Sequence, residues 1–216
     1  MKRLGWKVLA AAATVPLTVQ VASAQLPGIP YGPVNTGLGI NVAADYGKPT
    51  SGGGSAWGLT GGLGVSNLGI SASYGSWSPP VGSSQSAFAG MIGMKLFGGG
   101  LTPVTIGAQV GGSYMSVSGT STAIVMPAAW VKVSPPLFPL KPWGQVYDAI
   151  SNQANATGSK SEVRYAIGAN FNLLLGFGVH AAYDASTKSG GANFWGVGVH
   201  MNFRVPSLGV PGVPGI

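Results

Sequence analysis

Residues 194–204 read FWGVGVHMNFR, and taking every second position separates two surfaces. Trp195, Val197, Val199, Met201 and Phe203 are apolar, whereas Phe194, Gly196, Gly198, His200, Asn202 and Arg204 are mostly small or polar. A period of two predicts a strand whose faces meet different surroundings. The same alternation recurs upstream. Its apolar faces are Ile40, Val42, Ala44 and Tyr46; Trp57, Leu59, Leu63 and Val65; Leu68, Ile70, Ala72 and Tyr74; and Phe88, Ile92, Met94 and Leu96. They continue with Val104, Ile106, Ala108, Val110 and Tyr114; Val163, Tyr165, Ile167, Ala169 and Phe171; and Leu175, Phe177, Val179, Ala181 and Tyr183. Two middle segments are less regular. In TAIVMPAAWVKV, Ala123, Val125, Ala129, Val131 and Val133 share a face, but Pro127 removes a ladder donor. In LKPWGQVYDAI the parity is ambiguous. Counting both gives the expected ten strands, and omitting both gives eight as the alternative.

Connections and aromatic residues refine this pattern. SN, GGGLTP and SPPLFP are short or turn-like, while GKPTSGGGS, SPPVGSSQ, SNQANATGSKS and STKSGG are longer. Such asymmetry predicts an antiparallel up-and-down meander with turns at one end and loops at the other. Tyr46, Tyr74, Tyr114, Tyr147 and Tyr183 fall at the ends of strands running towards the long loops. Trp57, Phe88, Tyr165 and Trp195 fall at the starts of strands running back, so all of these share one height. Phe97, Trp143, Phe171, Phe177 and Phe203 fall at the opposite height. Two aromatic belts suit the two interfaces of a bilayer, where amphipathic rings settle at headgroup level. A soluble sandwich has no reason to sort its aromatic residues this way.

Composition narrows the architecture. Only 7% of residues are charged, 37 are glycine and the mean hydropathy is +0.33, against about a quarter charged in a soluble domain. No stretch beyond the N-terminus approaches the ~18 apolar residues of a membrane helix. A closed transmembrane β-barrel reconciles the two facts: its backbone bonds internally, its outside is apolar and its lumen is small or polar. At the N-terminus, Lys2, Arg3 and Lys7 precede the apolar run VLAAAATVPLTVQV, and Ala22 and Ala24 occupy the small positions of an A-x-A cleavage site. Residues 1–24 are therefore expected to be a signal peptide cut after Ala24. With it go three of the 11 basic residues, leaving eight against four acids, a net charge of +4. Those eight form no run or stripe, which argues against nucleic acid as a partner. The absence of cysteine removes disulfides and thiolate metal sites.

Over residues 38–204 the chain resembles the bacterial outer-membrane β-barrel proteins. The last strand carries a feature similar to that family's assembly signal, a glycine five positions before an aromatic with a hydrophobe two before it. Gly198, Met201 and Phe203 match this spacing. The resemblance implies residence in the outer membrane, contact with its lipid and recognition by the outer-membrane assembly machinery. The family usually ends on that aromatic, whereas this chain runs on to Ile216. The flanks 25–37 and 205–216 are both rich in Pro and Gly. They are expected to be extended tails on the periplasmic side, or covers for the periplasmic mouth.

Little in the barrel points to catalysis. Residues 25–216 hold His180 and His200 and four acids, Asp45, Asp148, Glu162 and Asp184. His180 and Asp184 share a strand face but stand roughly 13 Å apart by strand rise, too far for direct general-base pairing. No cofactor or metal is expected, and the protein is read as non-enzymatic. The inward positions are largely Gly, Ala, Ser and Thr, so a ten-stranded lumen should hold water, a ligand or a tail. Asn170, Asn172, His180 and His200 are expected to line its middle. Asp45, Glu162, Arg164 and Asp184 are expected near the outer rim. Lys95, Lys132, Lys141 and Arg204 would form a basic periplasmic mouth, which favours anions. The expected function is a narrow passive pore for small, anionic solutes; the alternative is a non-conducting structural or adhesive barrel acting through its outer loops.

Overall fold

The computed structural model describes residues 29–99, 102–117, 120–153 and 160–203. The expected signal peptide at 1–24, the tail at 205–216 and Arg204 of the basic mouth lie outside these. Ten strands follow in order: β1 (Gly39–Pro49), β2 (Ser55–Val65), β3 (Leu68–Ser78), β4 (Gln85–Gly99), β5 (Thr102–Val117), β6 (Thr120–Val133), β7 (Leu140–Ser151), β8 (Ser161–Asn172), β9 (Phe177–Ser186) and β10 (Phe194–Phe203). Each pairs antiparallel with its sequence neighbours, and β1 pairs with β10, so the sheet closes on itself. This is the all-β, ten-stranded up-and-down barrel that the alternation predicts. Closure leaves no unpaired edge. The end where β2 turns into β3 at Ser66–Asn67 is the turn end, and the end where β1 passes to β2 through residues 50–54 is the loop end.

The two faces of the barrel wall differ sharply in character. On β2, Trp57, Leu59, Leu63 and Val65 are exposed while Ala56, Gly58 and Thr60 are buried. The outward rows continue across the ladder: Leu63 stands opposite Ile70, Ile70 opposite Ile92 and Ile92 opposite Val110. Near the loop end the outward aromatics stack laterally, with the Trp57 and Tyr74 rings 5.8 Å apart and those of Tyr74 and Phe88 5.0 Å apart. Phe97, Phe171, Phe177 and Phe203 are exposed near the turn end. Exposed apolar area on this scale is costly in water, at about 25 cal/mol per Å², and costs nothing against lipid tails.

The irregular strands correct two aromatic assignments. On β7 the inward parity is Lys141, Trp143, Gln145, Tyr147 and Ala149, while Val146 and Ile150 face out. Tyr147 is 2% exposed and points into the lumen rather than into a lipid belt. Trp143 likewise faces inward, against Gly32 and Gly168. Both carry a polar hydrogen-bonding atom that finds a partner inside. Pro127 acts as a missing donor should. Val110 of β5 still stands opposite it, but the β6–β7 register skips from Val125–Ile150 to Ala128–Tyr147.

Candidate functional site

The lumen contains a piece of the chain itself. Residues 29–37 run along the barrel interior, beginning near the loop end and reaching the turn end before the chain reverses into β1. Ile29 is buried with Ala56, Trp77, Ala87 and Met115, all at loop-end positions of β2 to β5. Tyr31 is fully buried among Met91, Ile124, Met126, Tyr147 and Ala149, its ring 4.7 Å from that of Tyr147 and edge-on to it. Further down, Val34 and Asn35 lie against Gly69, where a Cβ would stand 3.2 Å from Val34 Cγ2. At the turn end Gly37 takes φ +107°, a conformation open to glycine, and lets the chain double back. The expectation of a plain periplasmic tail is thus corrected for 29–37: the segment lies within the barrel. Pro/Gly-rich sequence suits the position. Beyond a single bridge at Ile29 the extended segment has no ladder partners, so Pro30 and Pro33 remove donors that would otherwise need them.

Two glutamines hold three of the segment's backbone groups, and Asp184 accepts from the Tyr31 backbone N–H. Gln109 Oε1 accepts from Val34 N at 2.7 Å, and Gln109 Nε2 donates to Gly32 O at 3.1 Å and to Gln145 Oε1 at 3.2 Å. Gln145 Nε2 donates to Tyr31 O at 2.9 Å. The pair thereby satisfies three main-chain groups of the segment and each other, as buried polar groups must be. Burial of side chains such as Ile29 and Tyr31 adds roughly 1.5–3 kcal/mol each. None of Tyr31, Val34, Gln109 or Gln145 stands among the residues expected from sequence to form a site. Two signals marked them: long amides at inward positions otherwise filled by small residues, and inward glycines such as Gly69 and Gly93. Glycine within a strand often marks the close approach of another backbone.

Beside the segment, towards the loop end, stands an ion network. Arg164 Nη1 donates to Glu162 Oε1 at 2.6 Å, Nη2 to Asp184 Oδ1 at 2.6 Å and Nε to the Tyr147 hydroxyl at 3.1 Å. Nη2 also reaches Ala192 O, and Tyr147 donates to Asp184 Oδ2 at 2.6 Å. Arg164 and Asp184 are fully buried and Glu162 nearly so. Asp45, grouped with these from sequence, sits lower: it faces the lumen 2.6 Å from His180 Nε2.

Alongside the segment, from Pro30 to Gly39, the lumen keeps a cavity of about 400 Å³ that reaches the turn end. Asn170, Asn172, His180 and His200 all line it, with Lys132, Lys141, Trp143 and Asp45. His180 Nδ1 lies 3.2 Å from His200 Nδ1, and His200 Nε2 lies 3.1 Å from Asn172 Oδ1. This chain ties Asp45 through both rings to Asn172. Of the expected basic mouth, Lys132 and Lys141 border the cavity. Lys95 does not; it curls beside Gly99 where β4 bulges. On β10, Gly198 packs against His180, while Phe203 faces outward and Met201 is half-buried. Among the described residues there is no cluster of three or more His, Asp or Glu able to hold a metal.

No protein-family profile matches the chain, and no curated protein is similar to it. Solved structures with a similar fold include the N-terminal β-barrel domain of Pseudomonas aeruginosa OprF, at 12% identity and TM-score 0.41, spanning 78% of this chain and 100% of that one. The translocator domain of the autotransporter NalP from Neisseria meningitidis follows, at 15% identity and TM-score 0.42, spanning 79% and 90%. A de novo designed transmembrane β-barrel matches at 9% identity and TM-score 0.38, spanning 79% and 99%.

Proposed function

We propose that this protein is a bacterial outer-membrane barrel closed to free diffusion by its own N-terminal segment, with the loop end outward and the turn end facing the periplasm. The observation that carries this reading is the glutamine-held segment 29–37, which occupies the bore that small inward residues leave. A closed barrel acts by what it binds rather than by what it passes, and the reading is non-enzymatic. Export by a signal peptide ending at Ala24, lipid on the apolar face and assembly through Gly198, Met201 and Phe203 belong to the same proposal. The narrow pore with an anion preference then describes the barrel after its segment is displaced, and the Gly-, Ala- and Ser-lined wall favours that second state. Planar-bilayer recording tests both. Residues 25–216 should stay silent, and the same chain lacking 25–37 should give discrete steps. Should the deletion fail to fold, Gln109→Ala with Gln145→Ala substitutes for it. Persistent steps from the intact chain, equal in size to those of the deletion, would overturn the proposal.

A further inference from the structure

We infer that the turn-end cavity is a binding site for a compact doubly charged oxyanion, a dicarboxylate or a phosphate, held between Lys132 and Lys141. The inference rests on the closed reading, because segment 29–37 forms one wall of this space.

Register brings the two lysines together. Lys132 of β6 stands opposite Trp143 of β7, and Lys141 precedes Trp143 by two residues on the same inward face. Both border the cavity, and the two like charges repel across it. Among the described residues neither ammonium makes an ion pair or hydrogen bond, and every lumen acid is engaged elsewhere. Glu162 and Asp184 are taken by Arg164, and Asp45, the acid lining the cavity, by His180. Asp148 accepts from Ser161. Two half-buried cations without a carboxylate are unfavourable unless an anion joins them.

Two amides on the wall beside the lysines add donors. The Trp143 indole N–H can only donate, so its 3.4 Å contact fixes Asn170 Oδ1 towards the ring and leaves Nδ2 free. With Asn172 Oδ1 turned to His200, its Nδ2 likewise has no partner among the described residues. The wall thus offers two charges and two amide donors, a set suited to a dianion and not to a cation or an apolar ligand.

Calorimetry on residues 25–216, refolded in detergent micelles in low-chloride buffer, tests this with inorganic phosphate and succinate as probes. Saturable binding of one anion per barrel is expected for at least one probe. Lys132→Met and Lys141→Met should each weaken it by about tenfold, and both together should remove it, while Lys48→Met at the loop end should leave it unchanged. Succinate alone would assign a dicarboxylate, phosphate alone a phosphoryl group, and both their shared oxyanion chemistry. No binding of either, or binding indifferent to both lysines, overturns the site. If the methionine variants fail to fold, Lys132→Gln and Lys141→Gln replace them. Conductance by the intact chain would overturn closure while leaving this stoichiometry readable, so the two failures are distinct.

Discussion

At the loop end of the lumen Arg164 is fully buried yet meets Glu162, Asp184, Tyr147 and a backbone carbonyl. At the turn end Lys132 and Lys141 face a cavity and meet no carboxylate among the described residues. The same barrel wall therefore carries a satisfied cation at one end and unsatisfied cations at the other. The residues chosen fit the difference. A planar guanidinium with five fixed donors suits a permanent network, whereas flexible ammonium groups suit a partner that comes and goes. The loop end is built as structure. The turn end is built as a site.

Removing the charge at each end should break this contrast first at the loop end. Arg164→Met leaves Glu162 and Asp184 buried beside each other with no counter-charge, and losing one member of a buried network costs about 3–5 kcal/mol. The variant should unfold at markedly lower urea in a reversible refolding assay. Retention of wild-type stability would mean that the network is solvated and not the loop-end staple described.

The next largest effect concerns what separates the two ends. Gln109→Ala with Gln145→Ala strips three backbone groups of segment 29–37 of their partners, at about 1–3 kcal/mol for each buried group left unsatisfied. Part of that cost vanishes if the segment leaves, so the expected outcome is release rather than unfolding. A protease added after refolding should cut near residues 29–37 in the variant and not in the parent. Equal protection in both would show that apolar packing of Ile29 and Tyr31 suffices.

How much of this was legible in sequence follows from what each environment imposes. An apolar outer face and small residues inside force a period of two, so the outward rows of β2, β3, β8 and β10 could be read residue by residue. On β7 the rule fails. Its inward set, Lys141, Trp143, Gln145 and Tyr147, is as large and partly aromatic as an outward one, because it must pack against the segment and feed the ion network. Tyr147 therefore resembled a belt residue. The segment itself carries no periodicity, since its contacts are set by the wall around it and not by a ladder. Asp45 could be given a height from β1, but not its tie to His180, which depends on β9 lying across β10 from β1.

A smaller change sharpens the boundary between segment and wall. At Gly196 a Cβ would stand 2.6 Å from Pro30 Cδ. Gly196→Val should therefore press on the upper part of the segment at a cost of about 1–3 kcal/mol, typical of overpacking. The intact variant should show brief openings in bilayer recordings while its urea midpoint moves less than that of Arg164→Met. A silent bilayer with a large loss of stability would place the strain in the barrel wall.

The smallest expected effect is the most discriminating, because it repeats the first substitution at the other end. Lys132→Met also removes one inward cation, yet it leaves no carboxylate behind and relieves the repulsion from Lys141. In chloride buffer without phosphate or dicarboxylate, stability should be unchanged or raised by up to about 1 kcal/mol, as when an unfavourable buried charge gives way to an apolar side chain. Opposite signs for Arg164→Met and Lys132→Met in one urea assay would establish that the two ends differ in kind. A loss at Lys132 comparable to that at Arg164 would mean that this lysine has a structural partner, and the turn end would then be framework rather than a site.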